Sequence, residues 1–195
     1  MADLSAFVLA GGRSSRMGSD KAFLECGGLT LLARALNLLR TLTPQVRIIG
    51  PANKFAPHGP VVEDVYSGRG PLAGIHAALS ASTTELNLIF AVDLPFVTDS
   101  LLRFIVEQAG ATDAVVTVPR IAGGYQPLCA VYHRAFAPMA QAALEAGRNK
   151  IDALFATTTI RIVEEAELSR FAFSAAMFDN LNTPEDLRRA NLEKR

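Results

Sequence analysis

Ala6-Phe7-Val8-Leu9-Ala10 runs without a polar interruption into Gly11-Gly12-Arg13-Ser14-Ser15-Arg16-Met17-Gly18-Ser19-Asp20-Lys21. The junction between the two stretches decides the fold. Five apolar residues before a glycine turn read as a strand buried on both faces, and such strands belong to largely parallel sheets covered by helices. In an open α/β sheet, ligands collect beyond the carboxyl ends of the strands, which is where this one ends. Adjacent glycines let backbone N–H groups approach phosphate oxygens, and Arg16 and Lys21 add fixed positive charge. The string therefore predicts a phosphate-binding loop. It fails the GxxxxGK[ST] spacing because Ser19-Asp20 separates Gly18 from Lys21, and it fails GxGxxG because its glycines are adjacent. Both the P-loop NTPases and the nicotinamide dehydrogenases are disfavoured on that ground.

Working outward, strand-like runs recur at Val46 to Ile49, Leu86 to Val92, Ala114 to Val118, Leu128 to Tyr132 and Ile160 to Val163. Helices are predicted over Leu31 to Leu39, over Leu72 to Leu79, and where Leu101, Leu102, Ile105, Val106 and Ala109 share a face, with Thr98 as the cap. Thr183-Pro184-Glu185-Asp186 starts a closing helix expected to reach about Leu192. The segment from Gly50 to Pro60 reads as an irregular excursion and Ala122-Gly123-Gly124 as a tight turn. The class is α/β, and the expected organisation is one domain over residues 1–195.

The 195 residues are half hydrophobic, with nineteen basic residues balancing nineteen acidic ones. No overall field favours a nucleic acid or an anionic membrane, so an anion site must be built locally. Cys26 and Cys129 form no CxxC pair, which argues against a disulfide framework and a zinc site. A cytoplasmic protein is expected, since the first residues carry neither a basic signal region nor a long apolar run.

Asp93 ends an apolar strand and is followed by Leu94-Pro95-Phe96, which puts a carboxylate at the rim of the sheet beside the first loop. One or two carboxylates together with substrate phosphates commonly hold Mg²⁺, so Asp93 is the expected metal ligand. Asp64, after Val61-Val62-Glu63, either binds ribose hydroxyls or guanine donors or caps a turn. Gly74 either admits a nucleotide or lets a helix pack closely. Asn180 and Asn182 offer both donors and acceptors, which suit a heterocycle that presents both, or they stabilise the local turn. His58, His76 and His133 show no ligand spacing.

The string from Leu9 to Ala22 closely resembles the LAGGxSxRMGxDK signature of the molybdenum cofactor guanylyltransferases, the MobA family of molybdopterin nucleotidyltransferases. Further matching elements follow in order: Glu63-Asp64, Gly70-Pro71-Leu72-Ala73-Gly74, Val92-Asp93-Leu94-Pro95-Phe96, Gln126 to Tyr132 and Asn180 to Leu187. The resemblance spans nearly the whole chain, and its Asn-x-Asn-Thr-Pro ending points to the guanylyl branch. It implies a Rossmann-like, mostly parallel sheet with helices on both faces, as in nucleotide-diphospho-sugar transferases. It also implies transfer of GMP from GTP to the terminal phosphate of molybdenum-bearing molybdopterin, with release of pyrophosphate. Residues implied to contact the nucleotide are Leu9, Ala10, Gly11, Gly12, Lys21, Gly50, Asp64, Gly74 and Asp93, with Asp93 on Mg²⁺ and with Lys21 and Arg16 on the phosphates. Asn180 and Asn182 are implied to bind the acceptor. Transient contacts with molybdenum-insertion proteins and acceptor molybdoenzymes are implied as well. The chain departs from the family at Gly50, where members often carry asparagine, so a base contact there falls to backbone, water or Asn53. Two rival functions are a cytidylyl or sugar-phosphate transfer and a non-catalytic nucleotide-binding accessory module.

Overall fold

The structure is a computed structural model that describes residues 3–11, 20–181, 183 and 185–188. The elements run β1 (Leu4–Leu9), β2 (Glu25–Cys26), β3 (Leu29–Thr30), α1 (Leu31–Arg40), β4 (Val46–Ile49), α2 (Ala52–Phe55), β5 (Val61–Val62), α3 (Pro71–Ala81), β6 (Leu86–Ala91) and α4 (Asp99–Gly110). They continue β7 (Val116–Ile121), β8 (Gly124–Tyr125), β9 (Cys129–His133), α5 (Ala137–Glu145), α6 (Asp152–Phe155), β10 (Ile160–Glu164) and α7 (Glu165–Arg170). The main sheet is ordered β10-β7-β9-β6-β1-β4-β5, with β8 added to β7. Strand β1 pairs in parallel with both β4 and β6, while β9 runs antiparallel between β6 and β7. The sheet is thus mostly parallel, as expected, with an antiparallel insertion that the apolar run Leu128 to Tyr132 could not announce.

Phe7, Val8, Ile48 and Ile89 are fully enclosed because helices cover both faces of the sheet. Helices α1 and α4 lie over a core that contains Val8, Ile48, Leu88 and Phe90. Helices α3 and α5 cover the other face, around Phe7, Ile49, Ile89 and Tyr132. The helix starts follow from local chemistry. Thr30 Oγ1 accepts from the Ala33 N–H at 3.1 Å, and Thr98 Oγ1 accepts from that of Leu101 at 3.3 Å, so each hydroxyl satisfies a donor that the first turn leaves over. Pro71 occupies the first turn of α3, where no N–H is needed. Residues 185–188 are helical, and Thr183 and Asp186 cap that helix reciprocally at 2.9 and 3.1 Å. The expected continuation of this helix to about Leu192 lies outside the described residues.

The expected excursion after Gly50 contains α2 and a 3₁₀ turn, Ala56–His58. Ala122 and Gly123, both at positive φ, form the turn between β7 and β8. Both cysteines are unpaired and buried, and burial pushes the Cys129 thiol up to about 12. Among the described residues no helix is long and apolar enough to cross a membrane.

Candidate active site

Strands β1, β4, β5 and β6 are parallel, so all four end on one edge, and their last residues are stitched together there. The Ala10 and Gly11 N–H groups both donate to the Ile49 carbonyl at 3.1 Å. The Gly50 N–H donates to the Val62 carbonyl at 3.1 Å, and the Val92 N–H to that of Leu9 at 3.2 Å. The edge therefore carries Gly11, Gly50, Asp64 and Asp93 side by side on a rigid sheet.

Lys21 reaches this edge from a 3₁₀ turn, Lys21–Phe23, capped by Asp20, whose Oδ1 accepts from the Ala22 N–H at 3.0 Å. Its ammonium lies 2.5 Å from Asp93 Oδ2, with 17% and 20% of the two side chains exposed. These residues, far apart in sequence, meet because β1 and β6 are neighbours. The pair keeps a cation against a carboxylate that remains reachable from solvent.

The Asp93 backbone has a second partner. Its carbonyl accepts from the Leu181 N–H at 3.1 Å, and the Leu181 side chain is only 2% exposed. Asn180, beside this anchor, is exposed. The segment expected to bind an acceptor is thereby fastened to the loop that carries the expected metal carboxylate.

Gly11 and Gly50 face each other closely. A Cβ built on Gly11 would come 3.3 Å from the Gly50 Cα, and one on Gly50 would meet the Phe55 ring at 2.6 and 2.8 Å. Phe55 is fully buried, so the ring has little room to yield. A side chain at position 50 and this ring exclude each other, which accounts for the glycine in this chain. Asn53 is exposed on α2. Gly74 sits inside α3, where a Cβ would press on the Leu9 side chain at 3.2 and 3.3 Å and on Ile49 at 3.5 Å. Its glycine lets α3 pack closely on β1 and β4. Asp64 Oδ1 accepts from the Tyr66 N–H at 2.7 Å, a turn cap that leaves the half-buried carboxylate at the sheet edge.

The structure thus brings together Leu9, Ala10, Gly11, Lys21, Gly50, Asp64, Asp93 and Asn180 around one edge, and sets Gly74 into the helix packed beneath it. Gly12, Arg16 and Asn182 lie outside the described residues. None of the three histidines joins the site: His58 packs on the Phe23 ring at 5.3 Å, His76 on Tyr66 at 5.2 Å, and His133 faces Glu85 at 2.7 Å. Among the described residues no group of three or more His, Cys, Asp or Glu is placed to hold a metal ion. Asp93, a part-exposed carboxylate at the rim of the sheet, fits a Mg²⁺ site of the kind that one carboxylate shares with substrate phosphates. Phe55 and Lys54, which brace this edge, belong to no sequence motif, and Leu181 is the variable position of the Asn-x-Asn-Thr-Pro element.

Comparison with known proteins agrees with this geometry. The profile of the MobA-like NTP transferase domain matches residues 6–161. A probable molybdenum cofactor guanylyltransferase of Pelotomaculum thermopropionicum is 36% identical over 98% of this chain and 94% of its own length. The molybdenum cofactor guanylyltransferase of Desulfosudis oleivorans is 31% identical over 96% of this chain and 94% of its own. Among solved structures, molybdopterin-guanine dinucleotide biosynthesis protein A of Archaeoglobus fulgidus superposes with a TM-score of 0.85 at 26% identity, covering 97% and 98% of the two chains. A 2-C-methyl-D-erythritol 4-phosphate cytidylyltransferase of Thermus thermophilus shares the fold at a TM-score of 0.72 and 20% identity, with both chains fully covered. The signature after β1, the carboxylate at the end of β6 and the match over most of the chain place this protein in the MobA-like NTP transferase family.

Proposed function

We propose that this protein transfers GMP from GTP to the terminal phosphate of molybdenum-bearing molybdopterin and releases pyrophosphate, forming a molybdopterin guanine dinucleotide. The observation that carries the reading is the Lys21–Asp93 contact at 2.5 Å on the edge where the phosphate loop leaves β1. The names of the relatives support guanylyl transfer, and the hydrogen bond from Leu181 to Asp93 supports an acceptor segment beside the phosphates.

An acceptor phosphate is already ionised, so no strong general base is needed. Its oxygen forms a bond to the α-phosphorus of GTP as the bond from that phosphorus to the bridging oxygen of pyrophosphate breaks, and the electron pair leaves with pyrophosphate. The residues contribute position and charge. Lys21 donates hydrogen bonds to phosphate oxygens, and Arg16 is assigned beside it from the family resemblance. Asp93 would hold Mg²⁺, which when bound neutralises charge on the triphosphate and on the departing pyrophosphate. Ala10 and Gly11 have committed their N–H groups to Ile49, so this segment offers a base its carbonyl oxygens. Guanine presents adjacent N–H donors that carbonyls match. Asp64 supplies a further acceptor for base or ribose, and Asn180 with Asn182 receives the pterin.

A cytoplasmic setting, with transient contact to molybdenum-insertion proteins and acceptor molybdoenzymes, belongs to the same proposal. Pyrophosphate release from each of the four NTPs, with and without molybdopterin, tests the assignment. Release is expected with GTP and acceptor together. Higher specificity toward CTP would replace the guanylyl reading with a cytidylyl one, and no release from any combination would favour a nucleotide-binding accessory module.

A further inference from the structure

Lys54 belongs to none of the motifs, yet it joins two parts of the site. Its ammonium pairs with Asp20 Oδ2, and it lies 4.8 Å from the Phe55 ring centroid and 5.8 Å from that of Phe23. The two rings stack at 5.8 Å with an interplanar angle of 27°. Asp20 is engaged from two sides: Oδ2 takes the Lys54 ammonium while Oδ1 caps the turn that begins with Lys21. Phe55 in turn fills the space beside Gly50. A contiguous series of contacts therefore runs from the end of β4 through Phe55, Lys54 and Asp20 to Lys21 and Asp93 at the end of β6.

A lysine side chain has many rotamers, so where its ammonium spends its time depends on how firmly the backbone beneath it is held. We infer that Lys54 is a positioning residue, which is held over the stacked Phe23 and Phe55 rings, pairs from there with Asp20 and so fixes the turn from which Lys21 reaches Asp93. Its effect on turnover rests on the transferase reading above. Its effect on the turn does not.

The bland alternative is a surface ion pair with no consequence, since many such pairs contribute nothing measurable. Three variants separate the two. Lys54→Met keeps the aliphatic contact with the rings and loses the charge, Lys54→Arg keeps the charge, and Asp20→Asn keeps an acceptor for the Ala22 N–H but loses the ion pair. Two measurements are made on the full chain: amide exchange at Ala22, Phe23 and Leu24 without ligand, and steady-state pyrophosphate release at varied GTP–Mg²⁺. Lys54→Met and Asp20→Asn should exchange faster at these amides while protection in β1 and β6 is kept. Their kcat should fall about tenfold with KM for GTP–Mg²⁺ within about twofold, because the misplaced group acts on the transition state. Lys54→Arg should recover most of both losses.

Unchanged exchange in Lys54→Met and Asp20→Asn overturns the proposal. So does faster exchange with wild-type kcat, or a Lys54→Arg protein as impaired as Lys54→Met. If Lys54→Met does not fold, Asp20→Asn decides alone. A wild-type protein that releases no pyrophosphate refutes the transferase reading, and the exchange measurement still decides whether Lys54 holds the turn.

Discussion

The backbone N–H of Leu181 donates to the carbonyl of Asp93 across 3.1 Å, while the carboxylate of the same aspartate holds Lys21 at 2.5 Å. One residue thus joins the turn that carries Lys21 to the segment that contains Asn180. Two substrates that must meet at one phosphorus need such a fixed meeting point, because a misplacement of about 1 Å can cost on the order of a hundredfold in rate.

Lys21→Ala should lower kcat about 10²–10³-fold, the usual loss for one electrostatic donor aimed at a developing charge. The fold should survive, since a hydrogen bond between charged groups contributes about 1.5–3 kcal/mol. Steady-state kinetics with circular dichroism as the folding control checks this. Near wild-type transfer by folded Lys21→Ala protein removes this lysine from the mechanism.

Gly50→Ala should destabilise the protein by about 1–3 kcal/mol, the ordinary cost of overpacking, because its Cβ meets the buried Phe55 ring at 2.6 Å. Trimming the ring should relieve part of that cost. Urea unfolding of Gly50→Ala, Phe55→Leu and the double variant should therefore show less than the sum of the single effects. Strict additivity would mean that the ring does not exclude a side chain at position 50.

Leu181→Ala should raise KM for the acceptor more than KM for GTP–Mg²⁺. The side chain is 2% exposed, so its loss should also cost about 2–5 kcal/mol of stability if the core around it does not collapse. Separate titrations of the two substrates check the division. Equal effects on both would mean that the segment does not serve the acceptor side.

His76 should make stability depend on pH. Burial lowers the pKa of its imidazole, with Asp64 and then Glu145 pulling it partly back. Below about 6.5 the unfolded chain takes up a proton that the folded chain resists, so stability is lost as pH falls through that value toward the lowered one. Urea unfolding at pH 7.5 and pH 5 should show a larger acid loss for wild type than for His76→Gln. Parallel losses would assign the dependence to other groups.

The parts of this site that were legible in the sequence are those set by local chemistry. The apolar run at Phe7, the capping Thr98 and the β6 terminus at Asp93 each announce themselves within a few residues. The resemblance around Lys21 then gave the family. What stayed hidden depends on contacts between distant segments. The antiparallel β9 reads like any buried strand, because direction leaves no mark on apolar composition. Helix α5 is not legible because Ala137-Pro138-Met139-Ala140 lacks a strong stripe, and its packing on α3 decides its place. Asp64 and Gly74 each have two readings, and the turn cap of one and the helix seat of the other depend on contacts that do not exclude a nucleotide. The brace from Phe55 and Lys54 to Asp20 joins residues that no spacing rule connects.

Asp93→Asn gives the most direct test that nucleotide and acceptor meet at this aspartate. The amide keeps the shape and the backbone link to Leu181 but removes the charge that holds a hard cation. Pyrophosphate release by Asp93→Asn and by Asn180→Ala is titrated separately with GTP–Mg²⁺ and with molybdopterin. Transfer by Asp93→Asn should stay abolished at every acceptor concentration, whereas Asn180→Ala should recover much of its rate as acceptor is added. Rescue of Asp93→Asn by acceptor, with Asn180→Ala defective only toward GTP–Mg²⁺, would contradict the account by reversing the two substrates.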